Sequence, residues 1–104
     1  MKTINVLGTE YKLITDAKRE DYPQLHLHAD GYCNYATKEI VVTQDDSDET
    51  AAFDYYIKGV IRHEIVHAYF YESGLHDYAD DETLVDWVAL QLPKMSETFK
   101  EIDV

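Results

Sequence analysis

Cysteine occurs once in the 104 residues, as Cys33, so no intrachain disulfide can form and the chain suits a reducing compartment, the cytoplasm. Nothing basic adjoins Cys33 to favour a thiolate, which leaves it the role of a small, half-buried side chain. Long apolar runs are missing too. The longest, 68–71 and 87–90, are four residues, far short of a secretory h-region or a membrane span. Basic residues are scarce: nine Lys and Arg against 21 Asp and Glu give a formal net charge of −12. Such a surface repels phosphate backbones and anionic bilayers, so nucleic acid and membranes are disfavoured and a basic protein or peptide is the easier partner. No repeat or low-complexity segment is evident.

What is present is the composition of a globular protein: 45% hydrophobic, 12% aromatic, nine tyrosines. The length allows one domain, residues 1–104, with one modest core. Ile4 and Val6, then Tyr11 and Leu13, alternate with polar residues across Gly8-Thr9, which predicts a β-hairpin. Residues 16–21 are charged and end at Tyr22-Pro23, predicting a turn or short helical turn followed by loop. Extended backbone after it would bury Leu25 and Leu27 and expose His26 and His28 together. Asp30-Gly31 signals a turn, and the β-branched run 39–43 a strand. The acidic stretch 45–49 reads as a solvated loop and N-cap. From about Thr50, residues Phe53, Tyr56, Ile57, Val60, Ile61, Ile65 and Ala68 recur at helical spacing until Gly74. A loop over 75–80 leads to a second helix, capped by Asp80 or Asp81, with an apolar face of Leu84, Val85, Val88, Leu92 and Met95. Pro93 is expected to kink or end it. Strands followed by helices predict an α+β fold.

Within the long helix, residues 63–67 read His-Glu-Ile-Val-His. Positions four apart on a helix are rotated by only about 40° and lie about 6 Å apart along the axis, so His63 and His67 present both imidazoles to one point. A zinc ion can bridge them, and Glu64, not itself a ligand, is placed to act as general base on a water. A catalytic zinc needs a third protein ligand. Phe70 and Ser73 stand where metzincins have glycine and histidine, which excludes that branch. His76, Glu82 and Asp86 are the candidates downstream, the last two sharing one face of the second helix.

His-Glu-x-x-His at 63–67 followed by Glu-x-x-x-Asp at 82–86 resembles the gluzincin branch of the zincin metallopeptidases, which includes thermolysin-like enzymes. The resemblance implies Glu82 as third zinc ligand and Asp86 as the acid that orients His63. Arg62, residues 72–75 and residues 85–89 are also similar to short metallopeptidases encoded by prophages and integrative elements. Both resemblances lie within residues 62–90. The implied architecture is a minimal zincin domain, a small, mostly antiparallel sheet packed on a long active-site helix and a second C-terminal helix. A strand near 39–43 with a free edge would bind an extended substrate.

The expected activity is zinc-dependent endopeptidase, acting on a protein or peptide, with a regulatory protein as one such substrate. The alternative is a zincin-fold binding or regulatory module that holds zinc without turnover. In thermolysin-like enzymes tyrosine and histidine oxyanion donors follow the third ligand, whereas here no His, Tyr or Arg occurs after Tyr78. The donor must come from His76, Tyr78, Tyr69, Tyr71, Tyr32, Tyr35 or another chain, and Tyr78 is preferred. So short a chain leaves out the lobe that floors the cleft, which predicts a shallow, one-sided site and allows a partner chain to complete it.

Overall fold

The computed structural model describes residues 2–27, 29–43 and 51–104. It opens with the expected hairpin, β1 (Lys2–Val6) and β2 (Thr9–Ala17), with Ile4 opposite Tyr11. The two turn residues Leu7 and Gly8 both take positive φ, 52° and 92°, the twist that a two-residue hairpin turn requires. Asn5 supports the turn by accepting from the Gly8 amide. Two short 3-10 turns follow, Arg19–Asp21 and Pro23–Leu27. The second replaces the extended backbone expected around Leu25. Helical backbone there drives Leu25 inward, fully buried against Ala17 and Val41. A pairing of His26 with His28, like the acidic stretch 45–49, lies outside the described residues. Arg19 ties the excursion together through the carbonyls of Leu25 and Ala29 and the Asp30 carboxylate.

The chain returns along β3 (Gly31–Asn34), turns at residues 35–38 and re-enters the sheet as β4 (Glu39–Thr43). The Asn34 carboxamide accepts from the amides of Ala36 and Thr37, closing the turn. Sheet order is β1-β2-β4-β3. The two outer pairings are antiparallel, as expected, but the central β2–β4 pairing is parallel. The physical reason is the excursion, which carries the chain across to the far edge so that β4 comes back in the direction of β2. The edges of the sheet are therefore β1 and, on the side of residues 39–43, β3, each with one pairing partner among the described residues.

Alternation then decides what each face buries. Val6, Tyr11, Ile40 and Val42 point to one side, where Ile57, Val60, Ile61, Ile65 and Ala68 of the long helix α1 (Ala51–Glu72) cover them. Val41 points to the other, under Leu25. Each fully buried Ile, Val or Leu here contributes about 1.5–3 kcal/mol. Gly31 permits close packing: a Cβ there would lie 2.8 Å from Val60 Cγ1 and 3.2 Å from the Val41 carbonyl. This close approach lays β3 directly against α1, one turn before Glu64.

Helix α1 stops as its sequence predicts. Gly74 takes φ 86°, its amide donates to the Tyr71 carbonyl and the Leu75 amide to Phe70, a Schellman closure. The expected loop over 75–80 contains one further helical turn, α2 (His76–Ala79). Asp81 caps α3 (Glu82–Glu101) by accepting from the Leu84 amide, which settles the choice between Asp80 and Asp81. Val85, Val88 and Ala89 pack α3 onto Val66 and Phe70 of α1. Pro93 does not end this helix. Pro93 is exposed, so no neighbouring element opposes its ring, and the apolar spacing continues past it. The cost within the helix is the hydrogen bond it cannot donate together with its crowding of the carbonyl four residues back. No helix among the described residues is long and apolar enough to cross a membrane.

Candidate metal centre

Helix α1 presents His63 and His67, and the first turn of α3 presents Glu82, to a single point. The two Nε2 atoms are 3.0 Å apart. Glu82 Oε2 lies 2.9 Å from His63 Nε2, and Oε1 lies 3.0 Å from His67 Nε2. Each ring's other nitrogen is already engaged. His63 Nδ1 is 2.6 Å from Asp86 Oδ1, and His67 Nδ1 is 2.6 Å from the carbonyl oxygen of Ala79. Carbonyl and carboxylate oxygens accept, so both Nδ1 atoms carry hydrogen. In the neutral rings both Nε2 atoms are then bare lone pairs, facing two carboxylate oxygens with no proton to share.

Such a set could hold a cation. Ligand atoms around a tetrahedral ion bound at about 2.0–2.1 Å are about 3.3 Å apart, close to the separations seen here. His63, His67 and Glu82 thus fit a divalent metal, and their ligand atoms all lie within 4.8 Å of one another. The rival ligands are occupied otherwise. The His76 ring stacks on Tyr71 at 4.3 Å, and Asp86 holds the far nitrogen of His63.

Glu64 is buried beside this group, 6% exposed. Burial raises its carboxyl to about 7; His63 opposes the shift, while Glu82 and Asp86 add to it. A carboxyl that exchanges its proton near neutrality is suited to general acid–base work. Clefts open on both sides of it. One, about 440 Å³, lies between the β3 edge and the metal-ligand group, with Tyr32, Tyr35 and Asp80 in its wall. The other, about 650 Å³, runs between α1 and α3 and is walled by Val60, Trp87, Ala89 and Leu90. The second wall comes from α3, which crosses the end of the motif to deliver Glu82.

Tyr78, the preferred oxyanion donor, is not brought to either cleft. It is 52% exposed, its ring tilted against Phe70, because α2 turns it away while aiming the Ala79 carbonyl inward. Tyr35 takes the nearer place. Its hydroxyl is 3.4 Å from His67 Nδ1 and makes a long 3.5 Å bond to the Ala79 carbonyl. Its ring stacks on Tyr71 at 4.2 Å, and the Lys38 amine sits 5.0 Å from the Tyr71 centroid. Burial leads the causes that raise the Tyr35 hydroxyl above its ordinary range, which keeps it a proton donor. Cys33 lines the same cleft and burial pushes its thiol up to about 12, in keeping with an unreactive side chain.

Two contributors escaped the residue pattern. The Ala79 carbonyl is main chain, so no residue type could announce it. Asp80 enters the cleft wall because Asp81 takes the cap, a choice that lies one residue either way in sequence. Comparison with family models, with characterised proteins and with solved structures returned no match to this chain.

Proposed function

We propose that the protein is a zinc-dependent endopeptidase. The observation that carries this reading is the convergence of two lone-pair nitrogens and the Glu82 carboxylate, next to a buried Glu64. The resemblance of 63–67 and 82–86 to gluzincins supports the same ligand set. Two imidazoles and one carboxylate form a donor set typical of hydrolytic zinc. A zinc ion held there would supply Lewis acidity and lower the pKa of a water toward about 7.

The chain's own residues account for the rest. Asp86 and Ala79 fix the two rings through their Nδ1 hydrogens. Glu64 takes a proton from the attacking water and returns it to the leaving amine, a role that suits a carboxyl near 7. The unpaired edge of β3 binds an extended peptide by strand addition beside Glu64. Substrates are proteins or peptides presented in extended form, a regulatory protein of a mobile element among them, and the site of action is the cytoplasm.

Zinc stoichiometry and peptide-library cleavage, measured on the native chain and Glu64→Gln, test the reading. One zinc per chain in both, with cleavage reduced about 10²–10⁴-fold in Glu64→Gln, is the expected result. Zinc bound equally by both, without cleavage by the native chain, would instead identify the non-catalytic zinc module.

A further inference from the structure

The second half of α3 leaves the body of the molecule with an apolar seam open. Val85, Val88, Leu92, Met95, Phe99 and Ile102 follow one another at alternating spacings of three and four, the a and d positions of a heptad. Val85 and Val88 use the seam against α1. Beyond them Leu92, Met95, Phe99 and Ile102 are 51%, 41%, 44% and 70% exposed. An apolar strip of this extent on a chain so rich in acid marks a contact surface.

The charges on the helix say what kind of contact. Lys94, Glu97, Lys100 and Glu101 all fall on the face away from the seam, whereas the flanking positions within the helix, Gln91, Ser96 and Thr98, are neutral. Asp103 takes φ 57° and leaves the helical register. A basic partner would be matched by acidic flanks. Neutral flanks on a chain of net charge −12 instead suit a partner that is itself acidic, since they keep like charge out of the contact. We propose that this partner is a second copy of the chain, with α3 packed on α3 across a two-fold axis.

The area is sufficient. The four open side chains leave roughly 400 Å² in solvent per copy, and with their flanking residues two copies would remove on the order of 1,000 Å², the lower bound for a specific interface. At about 100° per residue the seam lies well round the helix from Trp87 and Leu90, so pairing leaves the cleft beside Glu64 open. The proposal does not rest on the metal or on catalysis.

Sedimentation equilibrium of the full chain from about 1 to 100 μM should show a dimer with a micromolar-range dissociation constant. The double variant Met95→Glu/Phe99→Glu should raise that constant on the order of 100-fold with the far-UV circular dichroism retained. Ile102→Glu, at the C-cap and 70% exposed, should raise it about tenfold and keeps the test decisive if the double variant does not fold. Lys94→Gln/Glu97→Gln, on the outer face, should leave it within about twofold. A native chain that stays monomeric throughout, or Ile102→Glu self-associating as tightly as native, would overturn the proposal.

Discussion

Asp86 and Glu82, four residues apart on α3, grip opposite nitrogens of the same ring: Asp86 Oδ1 lies 2.6 Å from His63 Nδ1, and Glu82 Oε2 lies 2.9 Å from His63 Nε2. One helical turn thus supplies both the proposed ligand, Glu82, and the acid that holds the far nitrogen of His63. The two substitutions should separate accordingly. Glu82→Ala removes a ligand atom and should abolish stoichiometric zinc binding at micromolar metal. Asp86→Asn leaves all three ligands and should weaken zinc by about 10–100-fold. Competition with a chromophoric chelator measures both, and equal affinity of Glu82→Ala and native chain would remove Glu82 from the ligand set.

Tyr35 and Tyr78 should behave oppositely. Tyr35→Phe deletes the hydroxyl beside His67 and the Ala79 carbonyl, and should lower kcat/KM about tenfold or more with zinc stoichiometry unchanged. Tyr78→Phe, at an exposed ring outside both clefts, should leave kcat/KM within about twofold of native. A loss confined to the second variant would return the donor role to α2.

Glu72 links the end of α1 to the sheet. Its carboxylate accepts from Lys38 at 2.7 Å, Tyr11 at 2.6 Å and Thr9 at 2.9 Å, and only 12% of the side chain is exposed. The Lys38 ammonium first, then the Tyr11 hydroxyl, hold it down at about 2 against an ordinary 4.5; burial opposes them, and the Cys33 thiol, whose own pKa Glu72 raises, stays protonated alongside. A depressed carboxyl binds fewer protons folded than unfolded, so its stabilisation is complete above pH 4.5 and fades as pH falls toward 2. Urea denaturation of Glu72→Gln should show a loss of about 1–3 kcal/mol at pH 7 that narrows across that acid window. A gap between native and variant that is constant with pH would contradict the assignment.

Gly31→Ala should destabilise by about 1–3 kcal/mol, since its Cβ meets Val60 and the Val41 carbonyl. Adding Val60→Ala removes the closest clash but not those with the Val41 carbonyl at 3.2 Å and Val42 Cγ2 at 3.3 Å. The pair should therefore regain only part of the interaction, read as a positive coupling in a double-mutant cycle by thermal melts.

What the sequence determined by itself is whatever depends on neighbours along the chain. Four-residue spacing puts His63 with His67 and Glu82 with Asp86, Gly74 stops α1 and Asp81 starts α3, and alternation marks the β1–β2 hairpin, because each rests on local geometry. The tertiary structure alone decided which residues meet across long separations. It brought Glu82 to the histidines and Tyr35 to His67, aimed the Ala79 carbonyl at an imidazole, and turned Tyr78 away. It also placed β4 parallel to β2 in the middle of the sheet, leaving β3 at the edge beside it. These outcomes follow from how α1, α2, α3 and the sheet pack as whole bodies, a balance of buried surface summed over many residues that no short spacing encodes.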